Sequence, residues 1–177
     1  MRILFILLSI ALFVLCSCID ITQIRQPSEV GAGQLFDVNL GCSYTMDESD
    51  EGDISGVDYW GVLAIQIPDD WKVINTGFSG SNSGSFTESD KVMAVVQLDY
   101  PAKEGYHWVA YRTFDAVKID PKVEQLKYDV KIKLQAGKIT GEFQPDYKVG
   151  VSQEPEIKST SITWGETTVE VPKITVK

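Results

Sequence analysis

Apolar and polar residues alternate one for one along most of the chain. Tyr128, Val130, Ile132 and Leu134 are separated by Asp129, Lys131, Lys133 and Gln135, so one face of this segment belongs in a core and the other in water. Phe36, Val38 and Leu40 alternate with Asp37 and Asn39 in the same way. Leu63, Ile65 and Ile67 share one face of the next segment, and Val62, Ala64 and Gln66 the other. A strand apolar on both faces belongs near the middle of a sheet. Further strands are expected over 92–100, 107–114, 141–151, 161–164 and 167–176, with a weaker one over 19–24. Gly, Pro, Asn and Asp break these runs, and no stretch longer than a turn has helical periodicity. About eight or nine short strands at near-regular spacing define an all-β chain, an antiparallel two-sheet β-sandwich. Pro172 falls inside the last run and is expected at an edge or a bulge, where a missing amide costs little. That run reaches Val176 and is expected to close the fold with no second domain after it.

The amino terminus follows a different pattern. Met1-Arg2 precedes an apolar run from Ile3 to Leu15 interrupted only by Ser9. As a helix this run would span about 20 Å, short of the roughly 30 Å hydrocarbon core of a bilayer. It reads as a secretory signal. Leu15-Cys16-Ser17-Cys18 resembles a bacterial lipobox, which implies cleavage after residue 17 and thioether lipidation of Cys18. The competing reading is an ordinary signal peptide with a Cys18–Cys42 disulfide. With Cys18 lipidated, Cys42 becomes a small buried hydrophobe. The organisation expected is a leader over 1–17, a lipidated Cys18 with a short tether or first strand over 18–27, and a single sandwich domain over 28–177.

The lead-in from Pro27 to Gln34, followed by Leu35-Phe36-Asp37-Val38, is similar to the opening of an immunoglobulin-like domain in Bacteroides-type surface lipoproteins. Ile67-Pro68-Asp69-Asp70-Trp71-Lys72-Val73 is similar to the apolar-Pro-x-x-Trp-x-Val corner of bacterial β-sandwich modules. The resemblance implies an immunoglobulin-like sandwich at the cell envelope, on the outer membrane or cell surface. It carries over no catalytic residue.

Charge adds an asymmetry. The 177 residues have a formal net charge of −9, and an acidic surface repels phosphate backbones, so a nucleic-acid partner is not expected. Between Arg25 and Lys72 there is no Lys or Arg, while Asp47, Glu48, Asp50, Glu51, Asp53 and Asp58 crowd into one loop. Asp47, Ser49, Glu51, Gly52, Asp53 and Asp58 occupy spacings that resemble a calcium loop. Neither flank looks helical, and the favoured reading is a solvated acidic loop, with calcium as the alternative. A second loop is expected over 76–90, rich in Gly and Ser and carrying Phe78 and Phe86. These two rings either contact a ligand or pack back onto the sandwich.

Candidate chemistry is sparse. His107 is the single histidine, so no triad or mixed-histidine metal site has a second imidazole within the chain. No nucleophile-elbow or phosphate-loop motif occurs, and no catalytic residue is assigned. The rings are the better lead. Trp60 and Tyr111 are expected at the surface, with Trp71 and Trp164 in corner and core packing. The function expected is a non-catalytic, lipid-anchored envelope protein that binds or adheres, with another envelope protein as partner. A glycan-binding accessory protein using exposed Trp and Tyr is the alternative, and an acid-pair hydrolase is the rival from another class.

Overall fold

The computed structural model describes residues 19–45, 58–118, 125–158 and 161–177. The elements run β1 (Ile19–Arg25), β2 (Glu29–Val30), β3 (Leu35–Thr45), β4 (Asp58–Pro68), β5 (Lys72–Gly80), β6 (Gly84–Glu88), α1 (Asp90–Asp99), β7 (Tyr106–Thr113), β8 (Val117–Lys118), β9 (Gln125–Gln135), β10 (Gly141–Phe143), β11 (Asp146–Ser152), β12 (Ile162–Trp164) and β13 (Ile174–Val176). The all-β sandwich is present, with more and shorter strands than the alternation alone separates.

The two layers are one sheet folded over. β1, β3, β9 and β5 form the first layer, and β7, β4, β11 and β12 the second. Short β6 turns the corner, pairing Ser85 with Gly77 of β5 and Phe86 with Thr113 of β7. In the first layer Phe36 lies opposite Leu134, Val38 opposite Ile132 and Leu40 opposite Val130. These residues meet Leu63, Ile65, Ile67, Tyr147 and Val149 of the second layer in the main core. At roughly 1.5–3 kcal/mol for each large side chain removed from water, this face is the main stabilising term. A three-stranded sheet, β10-β13-β2, lies at the end where Trp71 packs edge-on against Phe36 and Phe143, at 5.4 and 5.7 Å between ring centroids.

β4 is buried on both faces, and the second face has its own cover. Val62 and Ala64, with Trp108 and Ala110 of β7, pack under Val92 and Val96 of α1 and under Ile157. This helix replaces the strand expected over 92–100. The apolar run from Val92 to Val96 suits either period, and the helix is set by its entry. Ser89 caps it, its hydroxyl accepting from the Val92 amide at 3.3 Å, and Asp90 occupies the first turn, where an acid meets the positive end of the helix dipole.

Three other expectations change. The segment 141–151 is two strands broken at Gln144-Pro145, because proline has no amide for the ladder. Of 167–176 only Ile174–Val176 is regular strand, and Pro172 lies outside it. The segment 76–90 is a β-hairpin running into a capped helix.

The residues expected as a tether or first strand contain β1, which pairs with β3 from Ile19↔Tyr44 to Arg25↔Asn39. On its other side β1 meets the chain after β12. The Ile21 amide donates to the Glu166 carbonyl at 2.8 Å, and the Thr168 amide to the Ile21 carbonyl at 3.0 Å. The Gly165 amide in turn donates to the Val149 carbonyl at 2.9 Å. Residues 162–168 therefore link the edge of β11 to that of β1, and the folded sheet is stitched shut. Only glycine fits the closest approach, since a Cβ at Gly165 would overlap the Ile19 carbonyl. Tyr147, fully buried, reinforces the seam from inside: its hydroxyl donates to Gln26 Oε1 at 2.7 Å, and Gln26 Nε2 donates to the Pro172 carbonyl at 2.6 Å. Replacing Gly165 by Val should destabilise the domain by more than about 2 kcal/mol in a denaturant titration. Gly31→Ala, at a half-buried turn away from the seam where a Cβ meets only the Gln34 side chain, should cost far less.

Candidate functional site

The sequence-predicted residues converge, in part, on the end of the sandwich where β1 begins. Phe78 on β5 and Phe86 on β6 meet edge-to-face at 5.3 Å, and Phe78 meets Tyr128 of β9 at 6.4 Å. Both rings are half-buried against the main core, so of the two readings the inward packing describes them. The glycines of this hairpin serve the same packing. Gly80 has φ +148°, and a Cβ there would strike the Lys127 carbonyl; a Cβ at Gly84 would press on the Phe78 ring at 2.9 Å.

Behind these rings is an apolar cavity of about 60 Å³, lined by residues that include Ile19, Tyr44, Tyr59, Phe78, Leu126 and Tyr128. An engineered apolar cavity that takes benzene is roughly 150 Å³, so this one admits an aliphatic fragment and no ring. Beside it an open groove of about 460 Å³ runs between the hairpin tip, Asn82 to Ser85, and the turn from Phe114 to Val117. Phe114 is 70% exposed. A strand is expected over 107–114, but it ends at Thr113 and the turn carries the ring outward. The following Asp115 was the available sign of that turn.

The other ring assignments divide. Trp60 on β4 is half-buried. Tyr111 is not a surface residue: it lies in the main core between the layers, and burial, with Glu88 nearby, pushes its phenol well above the ordinary value. The expectation failed because β7 is covered on both faces, by the first layer on one and by α1 on the other. Trp71 is buried as expected. Trp164 is half-buried, stacked edge-on with Tyr100 and donating to Asp99 Oδ2 at 3.0 Å.

Asp47, Ser49, Glu51 and Asp53 lie outside the described residues, as does Cys18. Asp58 is exposed at the start of β4, opposite Lys118. Among the described residues no group of three or more His, Cys, Asp or Glu side chains is gathered as for a metal ion. His107 faces Asp69 Oδ1 at 3.5 Å on the surface. No helix among the described residues is long and apolar enough to cross a membrane.

Neither a family model nor a curated protein matches the chain. The solved structures it resembles include bacterial surface pilin and adhesin domains. One is the major pilin subunit BcpA of Bacillus cereus, at 13% identity and TM-score 0.43 over 87% of this chain and 39% of that one. Another is the C-terminal domain of the Streptococcus pyogenes antigen I/II-family protein AspA, at 10% identity and TM-score 0.43 over 85% of this chain and 41% of that one. A third is the collagen-binding domain of a Staphylococcus aureus adhesin, at 10% identity and TM-score 0.34 over 86% and 95%. The chain thus spans about two fifths of the length of the first two. At these identities and scores nothing about ligands, partners or role follows from the likeness.

Cys42 is a free, buried thiol in the main core. Burial, with Asp129 and Asp20 nearby, pushes its pKa up to about 12, so the nucleophilic thiolate is suppressed. A thiol reagent at pH 8 should leave Cys42 unmodified in the folded protein and label it fully after denaturation. The same shift ties stability to pH. Above the ordinary cysteine value the unfolded chain loses its proton while the folded thiol keeps it, so stability should fall as pH rises from about 9 towards 12. Thermal melts across that range check the direction.

Proposed function

We propose that this chain is a non-catalytic, lipid-anchored binding protein of the cell envelope whose partner is another protein. The observation that carries the partner class is the identity of the exposed apolar side chains. Leu35, Ile74, Leu98 and Ile139 are each about half or more exposed, and Phe114 is the one ring among the described large hydrophobics so exposed. Sugars are bound by flat aromatic faces, whereas exposed aliphatic side chains are suited to protein contact. Of the four rings on which a glycan platform would rest, Tyr111, Phe78 and Phe86 are turned into the core or against it, and Trp60 is half-buried. A surface adhesion role is in keeping with the architecture.

The anchor is proposed at Cys18, on the lipobox-like sequence before it. Ile19 already belongs to β1, so an anchor at Cys18 leaves no tether and holds the Ile19 end of the domain against the bilayer. More than one acyl chain makes such attachment stable. Mass spectrometry of the membrane-extracted protein should show a mature amino terminus at Cys18 carrying a diacylglyceryl thioether. Cys18→Ser should release the protein from the membrane fraction or leave its leader uncleaved. An unmodified amino terminus at any other residue would contradict the anchor. Saturable binding to a glycan array, lost in Trp60→Ala, would contradict the protein partner.

A further inference from the structure

We propose that a groove at the end of the domain opposite Ile19 is a docking site for a protein segment that carries a carboxylate next to an aliphatic side chain. This deepens the reading of a protein partner and rests on it. The groove, about 440 Å³, is lined by residues that include Gly33, Asp70, Lys72, Gln135, Lys138 and Ile139.

Its floor is fixed by two turns bonded to each other. The Gly33 amide donates to the Gly137 carbonyl at 3.0 Å, the Ala136 amide to the Gln34 carbonyl at 2.9 Å, and Gln135 Nε2 to the Gly33 carbonyl at 3.1 Å. Asp70 holds the second turn from the side, its Oδ2 accepting from the Lys138 and Ile139 amides at 2.8 and 3.1 Å. The contact is so close that a Cβ at Gly137 would overlap the Asp70 carboxylate. A groove built this way is already in shape before a partner arrives, which reduces the ordering cost of binding.

Charge and apolar surface together select the occupant. The carboxylate of Asp70 is committed to backbone amides. The ammonium groups of Lys72 and Lys138 are exposed and have no ion-pair partner among the described residues, whereas Lys133 faces Asp37, Lys173 faces Glu142 and Lys177 faces Glu29. Lys72 and Lys138, with Asp70 as the one carboxylate of the lining, leave the groove with one net positive charge. Ile139 in the groove wall is 62% exposed, Leu35 beside Gln135 in the ladder is 53% exposed, and Ile74, two residues past Lys72, is 49% exposed. Of the five most exposed large hydrophobics among the described residues, Ile139 lines the groove, and Leu35 and Ile74 adjoin its lining residues Gln135 and Lys72 along the ladder and the chain. Cations beside aliphatic surface complement an acidic segment with Leu or Ile next to Asp or Glu, and repel a basic one.

Position supports the same occupant. β3 runs from Leu35, at the groove, to Tyr44, which pairs with Ile19, and about ten residues of strand span roughly 35 Å. An anchor beside Ile19 therefore directs the groove away from the bilayer, where a partner can reach it.

The test uses the full chain in detergent micelles and fluorescein-labelled dodecapeptides in three sets: Glu-Leu repeats, Lys-Leu repeats and Glu-Ser repeats. Glu-Leu peptides should bind saturably and lose at least tenfold in affinity between 50 and 300 mM salt, values set by the screening length. Lys72→Gln with Lys138→Gln, and separately Ile139→Ser, should each weaken binding at least tenfold with an unchanged melting temperature. Equal binding of the Lys-Leu or Glu-Ser sets, or binding indifferent to these variants, would overturn the proposal. So would self-association of the chain abolished by the same variants, since a second copy would then be the occupant. A photo-crosslinker at position 139 or at position 114, tested in cells, separates the two levels. Protein adducts only from position 114 would discard the groove and keep the protein partner; no adduct from either, with saturable glycan binding, would discard both.

Discussion

The fold depends on closing one sheet against itself. A sheet bent into two layers leaves two free edges, and unpaired edge amides and carbonyls are both a loss of hydrogen bonding and an invitation to pair with other chains. Here β6 makes the bend and residues 162–168 join β11 to β1. The closure demands that two backbones touch where Gly165 meets Ile19, and no residue with a Cβ satisfies that geometry. Tyr147 and Gln26 then fasten the inside of the same seam with hydrogen bonds to the chain around Pro172. These contacts join the first described strand to the last fifth of the chain. Loss of the seam would expose Ile21, which is fully buried, together with two edges.

How much of this the residues reveal depends on whether a feature is local. Strict alternation over Tyr128 to Gln135 and Phe36 to Leu40 marked strands β9 and β3, because a half-covered strand leaves a period of two in its sequence. The two-faced apolar segment at 62–67 marked β4 as central, because a strand covered on both faces loses that period. The helix over Asp90–Asp99 escaped because the apolar run from Val92 to Val96 suits either period, leaving Ser89 and Asp90 at its entry to decide. Tyr111 was misplaced because alternation says which residues share a face but not what covers each face. Phe114 was misplaced because the strand ends one residue before it. The seam was beyond reach, since Gly165 and Ile19 are brought together only by the tertiary fold. The groove had no sequence signal either: Lys72 and Lys138 line one groove only because the turns at Gly33 and Gly137 interlock and Asp70 holds the backbone of 138 and 139.

The two ends of the sandwich have different characters. At one end β1 starts, the acidic connection between Thr45 and Asp58 leaves and returns, and the hairpin rings close over a small apolar cavity. At the other, two interlocked turns hold cations and aliphatic side chains in water. The sheet that separates them is rigid because its strands are paired on both sides. The proposed anchor lies next to one end and the proposed docking groove is at the other. The connecting element is β1, which is at once the strand next to the proposed anchor and a member of the closed sheet.

Whether β1 is truly part of that sheet is open to direct measurement by amide hydrogen exchange, followed residue by residue. If the seam is closed, the amides of Ile21 and Thr168 should exchange only when the whole domain unfolds, with protection equal to that of Ile132 in the middle of β9. Exchange of Ile21 and Thr168 orders of magnitude faster than Ile132 would show β1 peeling away from an otherwise intact sandwich, and would contradict the account.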